Sequence, residues 1–264
     1  MERMMQAVSF ARQAQEDRDH IALAPARVPD SDKYNINYER AQPVTLDDAV
    51  LRENRVLTGL EPDYFSESYR LLRTQILRLF KENSWNTLAV TSPREGAGKT
   101  LTAINLAISM AREITCTVLL VDANLRQPKM LKHFGQPERE GLSDYLTGDM
   151  PLGGLLIQPD SYNDLVILPG GKPLENSAEM LNSPKMEQLV RDMKAGDDNR
   201  IIIFDLPPIL SKTDALAFSP QVDAALLVIE DGVTAKSDVE RAIEMLVSTS
   251  IVGTVLNKTR TAVT

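Results

Sequence analysis

The stretch T-L-A-V-T-S-P-R-E-G-A-G-K-T, residues 87–100, decides the fold. An apolar run with strand character, 87–91, leads into a glycine-containing turn, and a helix-forming run follows. Gly96 and Gly98 let the backbone turn tightly and approach an oxyanion without a Cβ clash. The N–H groups that open the next helix then point at that anion, where the helix dipole also favours negative charge. Lys99 supplies a compact charge for β- and γ-phosphates, and the Thr100 hydroxyl is a ligand for Mg2+. Pro93 stands where the standard P-loop pattern has its first glycine, but the G-A-G-K-T core is intact. The loop, with Glu95, Gly96, Ala97, Gly98, Lys99, Thr100 and Leu101, is expected to bind ATP with Mg2+.

Outward from this loop, strands and helices alternate. Strands are expected at 87–91, 117–122, 164–168, 200–205, 224–230 and 251–257, and helices at 64–81, 100–113, 183–194, 213–219 and 235–248. The strands are uniform apolar runs, such as I-I-I-F at 201–204 and A-A-L-L-V-I at 224–229. Strands of that kind are buried on both faces. Alternation with helices implies right-handed crossovers, and hence an α/β, doubly wound, mostly parallel sheet of the P-loop type.

Ligands of such sheets bind beyond the carboxyl ends of the strands, so the residues placed there are the candidates. Asp122 ends T-V-L-L-V-D and is followed by a polar turn with Asn124, Arg126 and Pro128. A lone aspartate there caps a helix; one beside a phosphate site serves it. Asp205 ends I-I-I-F-D and is followed by two prolines, the form of a Walker B carboxylate that holds Mg2+. Magnesium suits so few carboxylates because it keeps much of its water. Asn257 ends the last strand, where its amide matches the N6/N7 edge of adenine or serves as an ordinary turn residue.

Composition removes other classes. The 264 residues carry 29 Lys and Arg against 37 Asp and Glu, a net charge of −8, which argues against a nucleic-acid coat protein. One cysteine, Cys116, fits a reducing compartment, and two histidines make a zinc site improbable. No run approaches the roughly 18 apolar residues that span a bilayer, and the N-terminus has no signal-peptide core. A cytoplasmic protein is expected, peripheral to the inner membrane through a partner. Residues 1–62 are expected to form a short helix, 1–19, and a proline-containing flexible arm; 63–264 form the P-loop domain. The first helix, with Met1, Met4, Met5 and Val8 on one face, is either a frayed terminus or a docking helix.

The set of motifs resembles the cytoplasmic bacterial tyrosine kinases (BY-kinases) of the CpsD/CapB type, including their exopolysaccharide chain-length and exosortase-associated members, within the MinD/ParA-like P-loop group. D-A-N-L-R-Q-P, 122–128, is similar to that family's Walker A′ motif, and D-L-P-P, 205–208, to its Walker B. G-L-S-D-Y-L-T-G at 141–148, L-P-G-G-K-P-L-E-N-S-A-E-M-L at 168–181 and E-S-Y-R-L-L-R at 67–73 also resemble family segments.

The resemblance implies transfer of the ATP γ-phosphoryl group to tyrosine. In that scheme Lys99 and Mg2+ stabilise the transferring group, Asp122 orients or deprotonates the phenol, and Asp205 fixes the metal with Thr100 and Asp122. Arg126 supports the phosphates or the Walker A′ turn. It also implies a membrane co-polymerase partner, met through its cytoplasmic tail, and a ring of copies assembled through Glu67, Arg70 and Arg73. Arg94 occupies the slot of the MinD-type signature lysine, as a phosphate contact or a solvated loop residue.

Two departures stand out. Asn124 replaces the second Walker A′ carboxylate, and the family's tyrosine-rich C-terminal tail has no counterpart in T-R-T-A-V-T. Tyr34 and Tyr38, on the arm, are the loosely tethered tyrosines, with simple arm packing as their other role. The departures favour an ATP-driven assembly switch as the alternative function. A ParA/MinD-type positioning ATPase is the third, disfavoured by the acidic charge and the E-x-x-R-x-x-R element.

Overall fold

The computed structural model describes residues 41–59, 63–113, 116–148, 150–196 and 199–259. The first-helix expectation at 1–19 and both arm tyrosines lie outside them. In chain order the elements are β1 (Gln42–Val44), α1 (Asp48–Glu53), α2 (Asp63–Asn83), β2 (Thr87–Thr91), α3 (Lys99–Ala111), β3 (Thr117–Asp122), α4 (Met130–His133) and α5 (Leu142–Thr147). There follow β4 (Ile157–Pro159), β5 (Leu165–Leu168), α6 (Ser177–Leu181), α7 (Pro184–Ala195), β6 (Arg200–Asp205), α8 (Asp214–Phe218), β7 (Ala224–Glu230), α9 (Lys236–Met245) and β8 (Ser250–Asn257).

The strands form one sheet in the order β1-β4-β5-β3-β6-β2-β7-β8. Every pairing is parallel except β4 with β5. Side chains alternate between two cores, as the two-residue period of a strand requires. Leu88, Val90, Ile201 and Ile203 enter the core that α1 to α4 cover. Ala89, Ile202 and Phe204 enter the opposite core, with residues of α5 to α9. Burial on both faces is why these strands read as unbroken apolar runs.

The segment 41–59 departs from the expected arm. Gln42–Val44 pairs with Ile157–Pro159 at the sheet edge, and Leu51, Val56 and Leu57 are buried in the first core. Asn105, fully buried on α3, accepts from the Leu57 N–H and donates to the Arg55 carbonyl, both at 2.9 Å. The Tyr162 hydroxyl donates to the Leu57 carbonyl at 2.5 Å. Three-residue strands and a six-residue helix are too short to show a period, so composition alone suggested a linker. The strap also reaches α4: Asn54 Nδ2 donates to the His133 carbonyl at 3.2 Å, and Gln136 Nε2 to the Thr45 carbonyl, also at 3.2 Å.

Leu51 has no exposed surface. Leu51→Ala is expected to lower unfolding free energy by about 2–5 kcal/mol, while Val247→Ala, 89% exposed, changes it by less than about 0.5 kcal/mol. Equilibrium urea unfolding of the two variants checks the placement of the strap in the core.

Candidate active site

The site is built where β2, β3 and β6 end side by side. Asp122 and Asp205 are opposite one another in the β3–β6 register, so adjacency of two strands brings two carboxylates together. Both are 1% exposed. The P-loop leaves β2 beside them and turns into α3.

Gly96 and Gly98 hold φ of 86° and 87°, a left-handed conformation that glycine adopts without steric cost. A Cβ on Gly98 would also lie 2.2 Å from Asn257 Nδ2. Gly98 is the N-cap of α3 and no side chain caps that end, so the first-turn N–H groups face the loop interior as a phosphate cradle requires. Thr100 Oγ1 donates to Asp205 Oδ2 at 2.6 Å. Lys99 Nζ lies 3.4 Å from Asp205 Oδ1 and 3.2 Å from Thr100 Oγ1. Lysine, hydroxyl and carboxylate thus form one connected group.

Asp122 is held by backbone rather than by a cation. Oδ2 accepts from the Met130 N–H at 3.1 Å and Oδ1 from the Asn124 N–H at 3.2 Å. The loop after β5 closes over it: a Cβ on Gly170 would lie 3.2 Å from the Asp122 carboxyl carbon and 2.6 Å from Pro128 Cβ. Burial, and secondarily the charge of Asp205, push the Asp122 carboxyl up to about 7. Near neutrality it is therefore poised to exchange a proton. Burial also pushes the nearby His133 imidazole down.

Other expected residues take different positions. Arg126 pairs with the fully buried Asp214 on α8, Nε to Oδ2 at 3.1 Å. Ser177 of α6 donates to the same carboxylate, and Leu174 N–H donates to the Leu125 carbonyl at 2.8 Å. Of its two expected roles, Arg126 has the geometry of a support for the turn. Asn257 Nδ2 donates to the Ala97 carbonyl at 2.8 Å and its Oδ1 accepts from Lys258 N–H at 2.9 Å. Both ends of the amide hold backbone, the geometry of a turn residue that also clasps the P-loop. Arg94 is exposed, as the solvated reading expects, and its guanidinium also grips Asp238 of α9 through two hydrogen bonds. Glu95 is exposed, and Leu101 packs against the first core.

Asp214, Ser177, Gly170 and Asp238 escaped the sequence. Asp214 and Asp238 each lie in the first turn of a helix, where acidic residues are ordinary. Only the fold shows that one is buried under Arg126 and the other clamps the P-loop.

The Glu67, Arg70 and Arg73 stripe is split. Arg70 pairs with Glu67 at 2.8 Å on the exposed face. Arg73 turns inward, Nη1 donating to the Ser109 carbonyl at 2.8 Å and Nη2 pairing with Glu113 at 3.1 Å. A spacing of three fits a common face only loosely, because each step of three residues falls about 60° short of a full turn, and the α3 segment captures the last arginine.

A parallel sheet with a P-loop between β2 and α3 and carboxylates at β3 and β6 defines a P-loop NTPase. The chain matches the family ParA, described as "NUBPL iron-transfer P-loop NTPase", over residues 83–263. It is 33% identical over 218 residues to the tyrosine-protein kinase YwqD of Bacillus subtilis, covering 79% of this chain and 90% of that one. The kinase domain of the Escherichia coli tyrosine kinase ETK has a TM-score of 0.70 at 26% identity, covering 84% of this chain and 91% of that one. The succinoglycan biosynthesis transport protein ExoP of Rhizobium meliloti is 29% identical over 215 residues, 79% of this chain but 27% of ExoP. The chain belongs to the bacterial tyrosine kinases, within the ParA-like P-loop NTPases. No helix among the described residues is long and apolar enough to cross a membrane.

The raised Asp122 carboxyl carries a sign for stability. An aspartate whose folded-state value rises from 3.8 to about 7 loses stability as pH climbs through that window, up to roughly 4 kcal/mol. Asp122→Asn is therefore expected to raise Tm at pH 8 and to leave it nearly unchanged at pH 4, in thermal melts without added Mg2+. An unchanged Tm at pH 8 would show that the carboxylate is not buried at cost.

Proposed function

We propose that this chain is an ATP-dependent protein-tyrosine kinase that regulates exopolysaccharide polymerisation or export. The observation that carries this is the cluster of Lys99, Thr100 and Asp205 facing Asp122 across adjacent strand ends. Lys99 stabilises charge on the transferring phosphoryl group, and Asp122 takes the phenolic proton. The donor set fits Mg2+, one hydroxyl and few carboxylates. Thr100 and Asp205 would hold the ion, with Asp122 opposite, and bound magnesium neutralises charge on the phosphates. Asn257 keeps the cradle shaped by holding Ala97, and Arg126 braces the Walker A′ turn through Asp214. Cys116 is the single cysteine, so the chain offers no thiolate set for iron.

The link to polysaccharide rests on relatives. ExoP is named as a transport protein, and this chain matches about a quarter of it. A separate membrane co-polymerase, engaging this kinase through a cytoplasmic tail, would supply the remainder and hold it at the inner membrane. The catalytic unit then begins by residue 41, where the strap enters the core, rather than at 63. The acidic net charge of −8 leaves nucleic acid an unsuitable partner.

Lys99→Ala is expected to reduce phosphoryl transfer by about 10²–10³, measured as acid-stable phosphotyrosine formed with Mg·ATP. Full activity in that variant would overturn the site assignment. Asn124, which lowers the charge of the Walker A′ turn, favours the assembly-switch alternative; ATP turnover with no phosphotyrosine on any acceptor would select it.

The ring surface is proposed on the exposed Glu67–Arg70 pair, with Leu71, 59% exposed, and Tyr64, 69% exposed, on the same helix. A Glu67→Ala, Arg70→Ala variant is expected to shift light-scattering mass toward monomer with Mg·ATP and the partner tail present. Identical mass distributions would reject this surface.

A further inference from the structure

Beside Asp122 lies a small cleft, lined also by Pro128, Lys129, Lys132, Arg139 and Gly170. No residue of the P-loop, 93–100, lines it. That separation bears on the reaction. In phosphoryl transfer the attacking and leaving oxygens stand roughly in line, on opposite sides of the phosphorus. The P-loop cradles the phosphates, so an acceptor phenol comes to Asp122 from the side that the loop leaves open. The cleft lies on that side, where the residues flanking an acceptor tyrosine pass.

Its walls are tied down before any acceptor arrives. Lys129 is the N-cap of α4, and the N–H of the next residue, Met130, donates to Asp122 Oδ2 at 3.1 Å. The backbone therefore fixes Lys129 close to the carboxylate that takes the phenolic proton. The carbonyls of Pro169 and Gly170 accept from the Leu142 and Ser143 N–H groups at 2.8 and 3.0 Å. A Cβ on Gly141 would lie 2.1 Å from the Pro169 oxygen, so the two segments touch backbone to backbone. Arg139 leads into that contact, two residues before Gly141.

The charges suit an anion, although the chain as a whole carries −8. Glu138 offsets Lys132 at 3.8 Å. Lys129 Nζ donates to the neutral Gln127 amide oxygen at 3.0 Å, which leaves its charge unmatched. Arg139 Nη1 is buried and has no hydrogen-bond partner among the described residues. A guanidinium nitrogen in that condition carries a desolvation cost that an incoming carboxylate recovers. The open space is about 20 Å3, room for a water-sized group. An aromatic ring stays at the mouth beside Asp122, and one small polar group enters.

In an extended peptide, side chains two residues apart share a face, about 7 Å from one another along the chain. A glutamate or aspartate at that offset accompanies the tyrosine to the same side of the site. We propose that Arg139, assisted by Lys129, sets the acceptor specificity of this kinase by receiving the carboxylate of an acidic residue two positions from the acceptor tyrosine. The favoured acceptor is thus an acidic tyrosine peptide. The inference rests on the kinase reading. Arg139 meets the flank of the acceptor and not the transferring group, so its effect falls on acceptor binding more than on the rate of transfer.

The test is steady-state phosphorylation by the full chain, with Mg·ATP, of three synthetic peptides. Each has one tyrosine, with glutamate, glutamine or lysine at both positions two residues away. The glutamate peptide is expected to have a KM roughly tenfold below that of the glutamine peptide, and the lysine peptide the highest KM. Arg139→Gln is expected to raise KM for the glutamate peptide roughly tenfold, and Arg139→Glu to turn the preference toward lysine. Lys129→Gln, at an exposed position, is expected to give a smaller loss of the same kind and is the second variant should those at Arg139 not fold. Equal KM values for the three peptides with wild type would overturn the inference, as would a glutamate preference that survives Lys129→Gln and Arg139→Gln. A loss confined to kcat and equal for all three peptides would overturn it too, leaving Arg139 a structural role. Each of these outcomes yields labelled peptide and leaves the kinase reading intact. No phosphotyrosine on any peptide would overturn the kinase reading and this inference with it.

Discussion

Two carboxylates, Asp122 and Asp205, end neighbouring parallel strands with almost no access to water. Side by side, they cannot both ionise cheaply. The surrounding structure resolves the conflict by treating them differently. Asp205 receives Lys99 and the Thr100 hydroxyl, so its charge is matched from the P-loop. Asp122 receives two backbone N–H groups and, among the described residues, no direct cation, and its carboxyl rises to about 7. One environment suits a metal ligand and the other a proton acceptor. The difference between the two environments follows from which neighbour each strand end meets.

The rest of the domain keeps that difference in place. α4 supplies the Met130 N–H to Asp122, and the strap 41–59 grips α4 through Asn54 and Gln136. The turn after Asp122 is braced where Arg126 meets Asp214, a carboxylate that Ser177 also bonds. On the phosphate side, Asn257 holds Ala97 and Arg94 holds Asp238. The P-loop is thereby fastened to both β8 and α9. A loop fixed before its ligand arrives has less ordering to do on binding, which is the sense of preorganisation.

What could be read from the sequence followed the strength of local periodicity. The long central strands and α2, α3, α7 and α9 announced themselves through unbroken apolar runs and helical spacing. Lys99, Thr100, Asp122 and Asp205 were legible because each stands at a fixed offset from such a run. The three-residue β1 and β4 had no period to show, and the strap that carries β1 has a linker's composition. Partners across long separations were hidden for a different reason. Arg126 finds Asp214, 88 residues on, and Arg94 finds Asp238, 144 residues on; nothing local to either arginine names its carboxylate. Arg73 turns inward because its partners, the Ser109 carbonyl on α3 and Glu113 just past the end of that helix, lie far along the chain.

The strap also bears on where this domain may be cut. A fragment starting at α2 would shed Leu51, Val56 and Leu57, all buried against the first core. It would leave Asn105 with neither of its backbone partners and strip the backing from α4. The uncovered trench on α3 and α4 would be a contiguous apolar surface of the kind that drives protein molecules to clump in solution. Solubility, and not only catalytic geometry, is thus a property that this short, linker-like segment confers on the whole domain.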